Sequence, residues 1–80
     1  MNETYRTDDV FQASILLSLG NKMREMDTST RRVSFVFERT NSLENDLRMI
    51  ISREVLVDPF ILKSNQDYLY NSVRTLTSDY

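Results

Sequence analysis

The chain of 80 residues has no cysteine, no histidine, one glycine and one proline. Each absence removes a class of chemistry. Without cysteine there is no disulfide, and without cysteine and histidine there is no zinc site of the ordinary kind. General-base or nucleophilic work would fall to carboxylates, lysine, serine or tyrosine, and a carboxylate pair must be held in a cleft to do it. A phosphate-cradling loop needs several glycines, which the single Gly20 excludes, and no calcium-loop spacing occurs. No apolar run approaches the roughly 18 residues that a membrane span requires, and the start, Met1-Asn2-Glu3-Thr4-Tyr5-Arg6, lacks a basic stretch followed by an apolar one. A chain without cysteine suits a reducing cytosol. Together these exclusions predict a soluble cytoplasmic protein that is not an enzyme, takes no cofactor, metal or small-molecule substrate, and leaves membranes alone.

What is present suffices for one small core. With 40% apolar residues, the chain reads as a single domain over residues 1–80, its ordered core covering about 7–76. Burial in a domain of this size barely exceeds the entropy lost on folding, which leaves a net stability on the order of 5 kcal/mol. Small domains often gain a margin by pairing with a copy of themselves. Ten basic and twelve acidic residues give a net charge of −2, against the positive excess of general nucleic-acid binders.

Arg32-Val33-Ser34-Phe35-Val36-Phe37-Glu38 carries the clearest pattern. Alternation puts Val33, Phe35 and Phe37 on one face of a strand and Arg32, Ser34, Val36 and Glu38 on the other. The polar cluster Thr28-Ser29-Thr30 reads as a turn, so residues 21–27 form the first strand of an antiparallel hairpin. Met23 and Met26 do not share one parity, which calls for a bulge or an irregular start.

Helices flank the hairpin. Thr7 reads as an N-cap with Asp8 and Asp9 in the first turn, Val10, Phe11, Ala13, Leu16, Leu17 and Leu19 as an apolar band, and Gly20 as the left-handed closing residue. Asn41 and Glu44 resemble a capping box before Leu43, Leu47, Ile50 and Ile51 on one helical face. Residues 55–57 form a third short strand or an extended crossing. Asp58-Pro59 then opens a last helix with Leu62, Leu69, Val73 and Leu76 inward, and residues 77–80 fray. The fold class is therefore α+β, in the order α-β-β-α-(short β)-α, with an antiparallel hairpin packed on helices.

Asp9-Val10-Phe11-Gln12-Ala13, Leu16-Leu17, Gly20, Lys22-Met23, the strand 32–38 and Val57-Asp58-Pro59 together resemble a small domain family of unknown function. Its members are short single-domain proteins scattered through bacterial, phage and environmental genomes. The resemblance spans about residues 9–76. It implies the fold, a phage or mobile-element origin and no known enzyme, and it carries no assigned site. The family often places a glycine in the connection before the last strand and helix, where this chain has Ser52-Arg53-Glu54.

Two kinds of surface are candidates for function. Lys22, Arg24, Arg31, Arg32 and Arg39 lie on or near the hairpin, as phosphate-contacting residues would, with Glu25, Asp27 and Glu38 interleaved. A short sheet also leaves an edge that proteins cover, charge or use for strand addition to a second copy or another protein. Tyr68 and Tyr70 cannot both face the core alongside Leu69, and an exposed tyrosine there is either a contact residue or one that snorkels at the core margin. The expectation is a non-enzymatic binding or adaptor protein that self-associates as a homodimer. Arg24, Arg31, Arg32, Arg39, Tyr68 and Tyr70 are its candidate partner-binding residues. The alternative is a nucleic-acid-binding accessory protein using the same arginines.

Overall fold

In a computed structural model, which describes residues 3–77, the elements run β1 (Thr4–Thr7), α1 (Val10–Ser18), β2 (Met23–Asp27), β3 (Ser34–Glu38), α2 (Asn41–Ile51) and α3 (Pro59–Thr77). The class is α+β, as expected, but the order is not. A strand precedes the first helix, and residues 55–57 are an extended crossing between α2 and α3 rather than a strand. Thr4, Tyr5, Arg6 and Thr7 alternate outward and inward, a pattern too short to stand out from a loop by periodicity alone. Of residues 77–80, expected to fray, Thr77 is the last residue of α3, where its Oγ1 donates to Val73 O, and 78–80 lie outside the described residues.

Both outer strands run antiparallel to β3, which sits at the centre of the sheet in the order β1-β3-β2. Centrality changes what β3 buries. Phe35 and Phe37 are fully enclosed on the helix side, but Val36, expected on a solvent-facing surface, is only 4% exposed. Arg6 and Glu25 stand opposite it on either side, and with Arg24 and Thr4 they line the same shallow depression. Long charged side chains commonly lay their aliphatic stems over apolar surface in this way. Arg32 and Val33 precede β3 and are not part of it.

The irregular start of β2 is a β-bulge. Met23 stands opposite Phe37 and Met26 opposite Phe35, while the register shifts by one residue between Met23 and Glu25. Arg24 is the extra residue. Two methionines three apart in sequence therefore pack on the same core face.

Capping fixes the helices, in places one or two residues from where the sequence puts them. Asp9, not Thr7, is the N-cap of α1: its carboxylate accepts from the N–H groups of Phe11 and Gln12, while Thr7 ends β1 and its Oγ1 accepts from Asp9 N. Gly20, at φ +94°, closes α1, with Gly20 N donating to Leu17 O and Asn21 N to Leu16 O. Those two bonds define a Schellman closure. Thr40, not Asn41, caps α2 by accepting from Leu43 N. Glu44 pairs with Arg39 instead of completing a box with Asn41. Arg53, at φ +61°, closes α2 with the same pair of bonds that Gly20 makes for α1. Asp58 Oδ1 accepts from Phe60 N and Ile61 N at the start of α3, with Pro59 in the first helical position.

Ala13 and Leu16 of α1, Leu43 of α2 and Leu69 of α3 meet Val33, Phe35 and Phe37 in the core. Each fully buried Phe or Leu contributes about 1.5–3 kcal/mol of transfer free energy. Asn65 of α3 donates to Ser18 of α1, while Val73 and Thr77 lie with Val10 around one depression, so α1 and α3 run antiparallel. Ile51 and Leu76, expected inside, are exposed. Ile51 turns away from the side of α2 on which Leu47 and Ile50 pack against the core, and Leu76 turns toward β2.

Candidate functional site

The free edge of β2 opens onto a groove whose other wall is α3. Among the described residues, β2 is paired with β3 along one side only. Met23, Arg24, Glu25 and Met26 form the near wall, and Tyr68, Asn71, Ser72, Thr75 and Leu76 the far wall, around an open volume of about 680 Å³. The helix presents Tyr68, Ser72 and Leu76, spaced by four residues, along one stripe. Tyr68 is 54% exposed and Leu76 43%, both high for residues of their size and polarity. The floor is apolar, through the inward-packed methionines, and the rim is polar.

Of the residues singled out in the sequence, the groove brings together Arg24 and Tyr68. Tyr70 is exposed but points elsewhere on α3, outside this lining. Arg31 lies in the β2–β3 connection beside Arg32 and Val33, at the end of the sheet away from Lys22. Arg39 follows β3 at the opposite end. The arginines therefore do not form one stripe.

Their charges are also engaged. Arg32 Nη1 is 2.8 Å from Asp8 Oδ2, and that guanidinium holds the Asp8 carboxyl below its ordinary range. Arg39 pairs with Glu44, which raises the Arg39 pKa, and its guanidinium lies 5.7 Å from the centroid of the Tyr5 ring. Tyr5 in turn donates its hydroxyl to Gln12 Oε1 at 2.8 Å. Arg24 and Arg31 carry no ion pair among the described residues.

Met23, Met26, Ser72 and Leu76 are groove residues that the sequence reading assigned elsewhere or passed over. The i, i+4, i+8 spacing of Tyr68, Ser72 and Leu76 was legible, but Leu76 also fits the core stripe of Leu62, Leu69 and Val73. The two faces of α3 separate only once the position of β2 beside it is known. Among the described residues, no group of three or more acidic, histidine or cysteine side chains converges as a metal site would, and no helix is long and apolar enough to cross a membrane.

No family model, curated protein or solved structure matches this chain. Function is therefore read from the geometry of the groove.

Proposed function

We propose that this domain is a non-enzymatic binding or adaptor protein that takes an extended partner strand into the groove between β2 and α3. The observation that carries this reading is the adjacency of an unpaired sheet edge to an exposed helical stripe. Main-chain groups along an edge supply affinity for any extended segment, while side-chain contacts from the neighbouring helix select among segments. Tyr68 is the natural anchor, since aromatic residues concentrate binding energy at the centre of protein interfaces. Arg24 and Glu25 set charge at the rim. A phage or mobile-element origin, which only the family resemblance implies, and a cytoplasmic setting would suit a small adaptor of this kind.

The nucleic-acid reading is the weaker one, because Arg32 and Arg39 are already paired and the remaining basic residues lie at opposite ends of the sheet. Displayed random peptides selected on the full chain, and short duplex and single-stranded DNA titrated at rising salt, separate the two. Selected peptides should bind the wild type and lose most of their affinity for Tyr68→Ala, with little dependence on salt. DNA binding that weakens steeply with salt and with Arg31→Ala and Arg32→Ala, in the absence of any groove-binding peptide, would replace this reading with the nucleic-acid one.

A further inference from the structure

The segment Lys22-Met23-Arg24-Glu25-Met26-Asp27 is complementary to its own reverse. Laid antiparallel on a copy of itself, Lys22 meets Asp27, Met23 meets Met26 and Arg24 meets Glu25, and the remaining three positions repeat those pairs. We infer that the strand received by the groove is β2 of a second copy of this chain, which joins two three-stranded sheets into one across a two-fold axis. The inference rests on the strand-addition reading of the groove and names its partner.

The bulge is what makes the register work. A two-fold axis perpendicular to a sheet keeps each face on its own side, so residues opposite one another must point the same way. In a regular strand, residues 23 and 26 point to opposite faces and this register fails. With Arg24 as the extra residue, Met23 and Met26 both face the core. Arg24 and Glu25 both border the outer depression with Thr4, Arg6 and Val36. Lys22 O accepts from Glu38 N and Asp27 stands opposite Ser34, which places both ends of the segment beside outward residues of β3. The faces along 22–27 run outer, inner, outer, outer, inner, outer. That sequence reads the same in both directions.

Bulges and edge charges ordinarily keep foreign strands away. Against a strand that lacks the complementary charges, Lys22, Arg24, Glu25 and Asp27 do that here. Against a copy, each finds its opposite. Asp27 already accepts from Arg6 and Ser29, and a carboxylate has lone pairs left for the incoming Lys22. Tyr68 and Leu76 stand beside β2 on the helix side and flank the incoming strand. Standard interfaces engage about 20–30 residues a side, so a contact built on one strand and one helical stripe is a weak dimer that dilution dissociates.

Solution mass by light scattering or sedimentation, across a dilution series of the full chain, tests the inference. The wild type should pass from dimer to monomer on dilution. Arg24→Glu and Glu25→Arg each place like charges opposite one another twice per interface, and each should weaken association about tenfold or more. The double variant R24E/E25R restores both pairs in swapped order and should recover the dimer. A wild type that stays monomeric at the highest soluble concentration overturns the inference, as do single reversals that leave the mass unchanged or a double variant that fails to recover. Circular dichroism of each variant separates lost association from lost folding. A monomer that still binds selected peptides through Tyr68 removes the second copy but keeps strand addition; a chain that does neither removes both.

Discussion

Arg6 on β1 reaches across the central strand to Asp27 on β2, so the two edges of the sheet are tied together over the outer face of β3. Asp27 Oδ1 also accepts from Ser29 N at 2.8 Å. Hydrogen bonds from Ser29, and then from Arg6, hold the Asp27 carboxyl far below its ordinary value of 3.8.

A carboxylate that binds protons more weakly in the folded chain than in the unfolded one stabilises the fold above its unfolded pKa, and that contribution fades as pH falls below it. Asp8 and Asp27 both shift in this direction. The wild type should therefore be more stable than Asp27→Asn at about pH 7, and the gap should close as pH drops below roughly 4. Urea midpoints of the two chains across that range measure it. A gap that is constant with pH would show that the pairing makes no difference to folding.

Phe35 is fully buried at the middle of the sheet, facing helices on one side. Phe35→Ala should cost about 3–5 kcal/mol, close to the whole stability of a domain this small. The expected product is a largely unfolded chain by circular dichroism. A cooperative unfolding transition near that of the wild type would place the ring outside the core.

Gly20 and Arg53 close their helices with the same bonds and in the same left-handed region, yet only one is glycine. Substitutions there should have opposite signs. Gly20→Ala, where an added methyl meets nothing within 4 Å, should lose about 1 kcal/mol through the backbone alone. Arg53→Gly should gain about 0.5–1 kcal/mol by relieving a non-glycine residue of that conformation. Thermal or urea midpoints decide both, and a loss at Arg53→Gly would mean that its side chain makes a contact worth more than the strain.

Phe60 is 84% exposed in the first turn of α3, whereas Leu69 in the same helix is fully buried. Phe60→Ser should change stability by no more than about 0.5 kcal/mol, while Leu69→Ala should cost about 2–5 kcal/mol. Equal costs would mean that Phe60 packs against something in solution.

The α+β class, the strand through Phe35 and Phe37, the closing glycine and the start of α3 at Asp58-Pro59 were legible because each is written in a few adjacent residues. The parity conflict of Met23 and Met26 likewise announced the bulge. β1 was not legible, since four alternating residues owe their strand conformation to β3, some thirty positions away. Val36 looked solvent-facing because alternation shows which face a side chain takes, not what neighbouring strands lay over it. Thr40 and Asn41 are both good caps in adjacent positions, and residue type alone does not choose between them. The groove was half visible: Arg24 and Tyr68 stood out as unsatisfied surface, but their meeting depends on how α3 crosses beside β2.

The central place of β3 also sets an order of assembly. β2 reaches β3 once residues 28–33 close a short loop, whereas β1 reaches it only after residues 8–34 have done so. Closing the longer loop costs about 1 kcal/mol more in chain entropy, which favours the hairpin forming before β1 joins the sheet. Until β1 docks, β3 exposes a second edge. Chain collisions in that interval would pair through β3, and concentrated refolding, rather than storage of the native protein, is where this domain is most exposed to aggregation.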